Sequence, residues 1–140
     1  MATGTAGTSA RQYSYQMVHY LRKTITYADD GTAVTIGVLP SGAAIIPAAS
    51  GALVTTVFDS DGTDYVDIGV SAATGGVSAN DDLYATDLDV SALGLKALDE
   101  AVSFVVTADT TITATYSAGG STPTAGVAEI LIAYIPDNDQ

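Results

Sequence analysis

Alternation of apolar and polar residues with a period of two, broken at short intervals by turn signals, most constrains the fold of this chain. In the stretch AVTIGVL, every second residue from Val34 to Val38 is apolar, as in a strand that buries one face. The acidic segment ADDGT at 28–32 precedes it, and Asp-Gly favours the positive φ angles of a tight turn. We therefore expect a hairpin over residues 24–39, in which Tyr27 and Val34 lie close together.

The same pattern predicts further strands along the chain, joined by Gly, Pro and Asp turns. DSDGTD at 59–64 is expected to close a second hairpin. The final segment is apolar on both faces, which is typical of a central strand. Residues 71–100 are expected to form a long loop with at most one or two helical turns, capped by Asn80. The further predicted strands are 44–46, 53–58, 65–70, 101–108, 110–118 and 125–136.

Seven or eight short strands without a long helix indicate an all-β fold, namely an antiparallel β-sandwich or a jelly-roll-like domain. Residues 1–12 are small, polar and Gly-rich, a composition that buries too little apolar area to order itself. A long alternating stretch rich in Tyr follows. The expected organisation is an extended N-terminal arm over residues 1–23 and a β-sandwich domain over residues 24–140.

Charge is distributed unevenly along the chain. The net charge is −12, yet residues 1–28 contain three basic residues and no acid, and the rest contain all 16 acids against Lys96 alone. Phosphate contacts need clustered Lys and Arg, so this acidic body argues against nucleic-acid binding. The basic leader is suited to docking on an acidic protein surface, in another copy or another protein. The alternative is that Arg22 and Lys23 are solvated residues of a strand.

Composition excludes several other classes of protein. The chain has no cysteine, so disulfides, thiolate catalysis and Cys-based zinc sites are excluded. Charged residues make up 14% of the chain, against roughly 25% in an average soluble domain. The surface must therefore be covered by small polar residues or by a partner. No signal peptide or membrane-spanning stretch is recognisable, so we expect synthesis in the cytoplasm and no membrane association.

The sequence offers little for catalysis, and we predict neither an enzyme nor a cofactor. His19 is the only histidine, so no histidine pair can bind metal or relay protons. Most carboxylates fall in turns and in the loop region. The segment DSDGTDYVD could supply calcium ligands from Asp59, Asp61, Asp64 and Asp67. It lacks the EF-hand spacing, however, and the predicted turn already explains its Asp and Gly residues. The metal interpretation is therefore the weaker one.

Tyrosines indicate where a partner binds. The chain has eight Tyr, two Phe and no Trp, and Tyr combines apolar area with a polar tip, as protein interfaces favour. Four of the eight lie within residues 13–27. We predict that this leader is an arm that docks on a partner protein or a neighbouring subunit, the alternative being that it covers the domain's own core. The predicted protein-binding residues are Arg11, Tyr13, Tyr15, Met17, His19, Tyr20, Arg22 and Lys23.

Three segments resemble those of a class of small virion proteins of tailed bacteriophages. They are ITYADDGTAVTIGVLPSGAAII, VTTVFDSDGTDYVDIGV and TITATYSAGGSTPTAGVAEILIAYI, which together span roughly residues 24–135. The resemblance lies in turn and strand patterns. It implies a particle component without enzymatic activity, of the capsid decoration (cement) type that binds the outside of the head, frequently as a trimer. The Tyr-rich leader and the acidic middle segment depart from the pattern.

The leading hypothesis is therefore a decoration protein located on the virion. It would bind the major capsid protein through its N-terminal arm, stabilise the shell and form a homo-oligomer, expected to be a trimer. A second hypothesis is a head-fibre or tail component that binds a host glycan through Tyr and Asp of residues 71–100. A third, a small hydrolase built from Asp pairs, is supported only by the abundance of acids.

Overall fold

The computed structural model describes residues 17–70 and 78–137 and contains nine strands in these ranges. Two short 3₁₀ turns, Tyr27–Asp29 and Pro47–Ala49, complete the regular structure. The strands are β1 His19–Thr26, β2 Ala33–Leu39, β3 Ala44–Ile45, β4 Gly51–Thr56, β5 Tyr65–Val70, β6 Asn80–Asp89, β7 Gly94–Ala97, β8 Thr110–Ser117 and β9 Val127–Ile135.

The strands form two antiparallel sheets packed face to face. Sheet I has the order β1-β9-β4-β7, with β3 also paired to β9, and sheet II has the order β2-β8-β5-β6. With the two-residue β3 set aside, sheet I holds the first, eighth, third and sixth strands and sheet II holds the second, seventh, fourth and fifth. This is the winding of an eight-stranded jelly roll. The predicted all-β sandwich is confirmed.

The core lies between the sheets and is built from the inward-facing residue of each alternating pair. Ile25 and Ile130 of sheet I and Ile68 and Ile112 of sheet II are fully buried. Each such side chain contributes about 1.5–3 kcal/mol through removal of apolar surface from water. β9 lies between β1 on one side and β4 on the other, so the prediction that the last strand is central is confirmed.

Both predicted hairpins are wrong, because the strands they join lie in different sheets. β1 pairs with β9 whereas β2 pairs with β8, and β4 and β5 are separated in the same way. Tyr27 opens a 3₁₀ turn and donates its backbone N–H to Gly126, while Val34 pairs with Ala114. Asp-Gly signals that the chain reverses, but not whether the next strand joins the same sheet or crosses to the other.

The middle of the chain also differs from the prediction. Asn80 begins β6 rather than capping a helix, and β6 and β7 together place much of the expected loop in the sheets. Residues 101–108, expected as a strand, make only an isolated bridge at Val105. Tyr84, Leu88 and Val90 bury their side chains in the core. Burial of these residues outweighs the turn propensity of the surrounding Asp residues.

Strand β1 spans the predicted boundary between the arm and the domain. His19 to Thr26 pair residue by residue with Tyr134 to Val127 of β9. The predicted division between residues 23 and 24 therefore falls inside a strand of sheet I. Residues 19–23 of the predicted arm belong to the sandwich, and residues 1–16 lie outside the described part of the chain.

Candidate interaction surfaces

The structure describes five of the eight predicted binding residues and places them on or next to β1. Arg11, Tyr13 and Tyr15 lie outside the described residues. Met17 precedes β1 and is 62% exposed. The other four are on β1 itself, so the structure brings all five together on one strand and the segment that precedes it. They are His19, Tyr20, Arg22 and Lys23.

The alternation of β1 separates these side chains between two faces. The inward parity includes Ile25, which is fully buried, and Leu21, whose methyl groups pack against Gly37 of sheet II. His19 shares this parity and stacks on Tyr134, with ring centroids 5.7 Å apart. Tyr20 has the opposite parity and is 56% exposed. His19 is thus a packed residue, and Tyr20 is available for contact.

Arg22 and Thr24 hold Glu129 on the outer face of sheet I. The guanidinium Nε of Arg22 donates to one carboxylate oxygen of Glu129 at 2.8 Å. The Thr24 hydroxyl donates to the other oxygen at 2.6 Å. These hydrogen bonds, with the charge of Arg22, lower the pKa of Glu129. Because Arg22 remains 67% exposed, the pair is solvent-screened and contributes little to stability.

β1 forms the edge of sheet I, since its outer side pairs with no strand of the described part of the chain. The other three sheet edges are either short or interrupted by irregular pairing. β2 has a bulge between Thr35 and Gly37, β7 has only four residues, and β6 has two register shifts. An uninterrupted edge strand can accept a further strand, and a charged side chain such as that of exposed Lys23 limits indiscriminate pairing.

A second charged surface, which was not predicted from the sequence, lies on sheet II. Its strands carry five Asp and no basic residue: Asp67 on β5 and Asp81, Asp82, Asp87 and Asp89 on β6. Burial raises the pKa of Asp67, and the neighbouring carboxylates of Asp87, Asp81 and Asp82 raise it further. A 2.7 Å hydrogen bond from the Asp87 backbone N–H lowers it, but by less than burial raises it. The alternation of Asp87 and Asp89 with Leu88 and Val90 is a strand signal that could have revealed the end of this strand.

Three of the four proposed calcium ligands, Asp59, Asp64 and Asp67, have another structural partner. Asp59 accepts hydrogen bonds from Thr124 and from the backbone of Ala125, and these bonds lower its pKa. Asp64 is fully buried and accepts the Tyr116 hydroxyl. Over residues 17–70 and 78–137, no group of three or more His, Asp or Glu is arranged to hold a metal ion.

Comparison with solved structures finds the same fold in two bacteriophage capsids. One chain, from "Cyanophage Pam1 capsid asymmetric unit", matches with a TM-score of 0.60 and 16% identity, over 97% of this chain and 99% of that one. Another, from "Acidic stable capsid structure of Helicobacter pylori bacteriophage KHP30", matches with a TM-score of 0.57 and 18% identity, over 86% of this chain and 89% of that one. The sequence matches no protein-family model and has no significant match among curated proteins.

The shared feature is the fold of the whole chain. Coverage is nearly complete on both sides of the first match, so the similarity extends over the whole arrangement of strands. At 16% and 18% identity, what carries over is the arrangement of strands.

Two further observations concern the expected lack of membrane association and the hypothesis of glycan binding. No helix within the described ranges is long and apolar enough to cross a membrane. Residues 80–97, expected to offer Tyr and Asp to a sugar from a loop, are mostly strands, and Tyr84 is only 1% exposed. The Asp residues of this region remain at the surface, but the aromatic partner that sugar stacking would need is buried.

Proposed function

We propose that this protein is a capsid decoration protein of a bacteriophage, which binds the outer surface of the head and stabilises the shell without enzymatic activity. The observation that carries the proposal is the match of nearly the entire chain to chains of two phage capsid structures. The resemblance of residues 24–135 to small virion proteins points the same way. The major capsid protein is the proposed partner, and the outside of the virion is the proposed location.

The contact with the shell is proposed to involve β1 and the residues that precede it. Pairing with β9 over eight residues fixes β1 to the domain. The chain that precedes His19 is therefore attached at the edge of sheet I. Met17, Val18 and Tyr20 expose 62, 44 and 56% of their surface there. A fixed strand that is preceded by exposed apolar residues is suited to join a bound N-terminal segment to the sandwich.

The proposal is tested by binding of the purified protein to heads that lack it, prepared from the phage that encodes it. We expect saturable co-sedimentation of the full-length protein. An Arg11→Ala/Tyr13→Ala/Tyr15→Ala variant should bind at least about tenfold more weakly, because interface Tyr and Arg residues commonly carry more than 1 kcal/mol each. None of the three residues lies in any of the nine described strands.

Val38→Ala is a suitable control, because Val38 is 50% exposed on β2 in sheet II. Its binding should equal that of the natural protein. Full binding by the triple variant would show that these N-terminal residues do not contribute to the contact. Failure of the natural protein to bind any head would contradict the decoration role. Shell stabilisation is measured separately, as the temperature at which decorated and undecorated heads release DNA.

A further inference from the structure

A cavity of about 290 Å³ lies between β6 and the segment 102–107. Leu83 and Tyr84 line it from β6, and Val102, Val105 and Val106 line it from the opposite segment. The described residues of its lining include no charged side chain. Ligand pockets are mostly apolar with a few placed polar groups, and they measure about 300–1,000 Å³. This cavity is at the lower end of that range, so it has room for one side chain rather than for a larger ligand.

Tyr84 gives the cavity a polar group that the protein itself does not satisfy. Its side chain is 1% exposed and stacks on Phe104, with ring centroids 6.2 Å apart. Its hydroxyl has no hydrogen-bond partner among residues 17–70 and 78–137. In the same ranges, no polar side-chain atom that is fully sealed from solvent lacks a partner. The hydroxyl therefore reaches accessible space, and the cavity is the space that Tyr84 lines.

A row of apolar side chains leads across the outer face of sheet I to this cavity. Ile135 of β9 pairs with Ala44 of β3, and Ala44 forms a bridge with Val105. Continuing the register of β1 and β9 by one residue places Val18 beside Ile135. Directly opposite residues share one face of a sheet, and Val18, Ile135 and Val105 expose 44, 42 and 54% of their surface. We call these four residues the apolar row. It joins the start of β1 to the cavity, which Val105 also lines.

The chemistry of the row and the cavity defines the side chain that fits. Neither the apolar row nor the described lining carries a charge that could offset the desolvation of a charged group. The occupant therefore needs an apolar body, and its tip must form a hydrogen bond with the Tyr84 hydroxyl. Burial raises the pKa of Tyr84, so this hydroxyl stays protonated at neutral pH and can donate or accept. A tyrosine side chain has both properties, and its ring suits an aromatic contact with Tyr84.

We propose that the cavity anchors one tyrosine side chain of the capsid protein, and that the adjoining segment of that protein lies along the apolar row. The inference deepens the proposed function, on which it rests for the identity of the partner. The apolar row begins at Val18, within the exposed segment already proposed to contact the shell, so the two form one continuous surface. Aromatic side chains that fill a pocket at an interface commonly carry much of its binding energy.

The chemistry of the cavity is tested with two probes and the full chain. The first probe is para-cresol, which reproduces the tyrosine side chain, and the second is toluene, which lacks the hydroxyl. NMR spectra of protein labelled at its Leu and Val methyl groups report binding. We expect para-cresol to cause saturable shifts at Leu83, Val102 and Val106, which line the cavity.

Tyr84→Phe isolates the contribution of the hydroxyl. It should weaken the binding of para-cresol about fivefold, because one hydrogen bond between neutral groups is lost. It should not weaken the binding of toluene, which makes no such bond. Tyr27→Phe is the matched control, since Tyr27 lies in a 3₁₀ turn and does not line the cavity. That control should bind both probes as the natural protein does.

Val105→Trp tests the role of the cavity on the particle, because it places a large ring where the apolar row meets the cavity. It should abolish the binding of para-cresol. It should also bind heads at least about tenfold more weakly than Val38→Trp, as loss of a pocket anchor implies. Val38→Trp is the matched control, since Val38 is a valine of similar exposure on β2. Circular dichroism verifies folding, and light scattering measures the mass of each variant.

Three results would overturn the inference. The first is the absence of saturable para-cresol binding, and the second is an equal effect of Tyr84→Phe on both probes. The third is a Val105→Trp variant that binds heads as Val38→Trp does, or whose mass changes because the surface contacts a second copy. All three leave the decoration role intact. A cavity that binds para-cresol in a natural protein that ignores heads would instead refute the decoration role and leave the chemistry of the cavity standing.

Discussion

The phenolic hydroxyl of Tyr116 donates a 2.5 Å hydrogen bond to a carboxylate oxygen of Asp64 inside the sandwich. Both side chains are buried, and the second oxygen of Asp64 accepts the backbone N–H of Ser60 at 3.1 Å. The ring of Tyr116 packs on Phe58 with centroids 4.4 Å apart. One buried pair thus fixes the 59–64 connection, in which the chain crosses from sheet I to sheet II.

Replacing Tyr116 by Phe should lower the free energy of unfolding by about 1–3 kcal/mol, because it leaves a buried carboxylate oxygen without its donor. Urea denaturation measures the change. Tyr27→Phe is the matched control, since Tyr27 is 40% exposed and its hydroxyl can bond to water. Equal effects of the two substitutions would mean that the Tyr116 hydroxyl does not stabilise the crossing.

Alkaline pH should destabilise the protein through the same group. Burial, followed by the hydrogen bond to Asp64 and its charge, raises the pKa of Tyr116, and burial raises that of Tyr84. A folded-state pKa above the unfolded value near 10 means that stability is fully present below about pH 10 and is lost as pH rises further. Between about pH 10 and 12, stability should fall more steeply for the natural protein than for Tyr116→Phe. Parallel slopes would contradict the assignment.

Removing one charge from the acidic surface of sheet II should stabilise the fold. The pKa of Asp67 is raised by burial and by neighbouring carboxylates, so its ionised form is disfavoured and its unfavourable contribution develops as pH rises through that pKa. Asp67→Asn retains an oxygen to accept the Asp87 N–H. We expect a gain of a few tenths of a kcal/mol at neutral pH, because Asp67 is only partly shielded from solvent. The gain should shrink in high salt and disappear near pH 3, as thermal unfolding would show.

The close approach of two loops accounts for Gly62. A Cβ atom there would overlap the carbonyl oxygen of Gly119, part of the opposing loop. Gly62→Ala should therefore cost about 2–4 kcal/mol, because backbone must shift to make room. At Gly31 a Cβ would meet nothing within 4 Å, although φ is +69°, so Gly31→Ala should cost only about 1–2 kcal/mol. A smaller loss for Gly62→Ala than for Gly31→Ala in urea denaturation would show that the loops are not held in contact.

The sequence predicted the individual strands better than their partners. β3, β5 and β9 follow directly from alternation and from the flanking Pro and Gly residues, and the apolar character of both faces of β9 revealed its central place. The crossing at 59–64 was not predictable, because the same Asp-Gly turn can close a hairpin or lead to another sheet. The acidic surface of sheet II was missed because Asp is rare in strands.

For the candidate binding surface, the sequence located the strand but not the contacts of its side chains. The Tyr-rich, basic composition marked residues 13–27, and β1 lies there. That Arg22 contacts Glu129, 107 positions away, depends on the order of strands in sheet I. That His19 faces Tyr134 rather than a partner depends on the parity of β1. Both facts arise from tertiary pairing, which local sequence patterns do not encode.

The most direct test of the decoration role is a comparison, by electron cryomicroscopy, of heads of the encoding phage with and without this protein. The account predicts additional density on the outer surface of the head, into which the nine-stranded sandwich fits with β1 and residues 1–18 towards the shell. Density inside the head, density confined to the tail, or no difference between the two particles would contradict it.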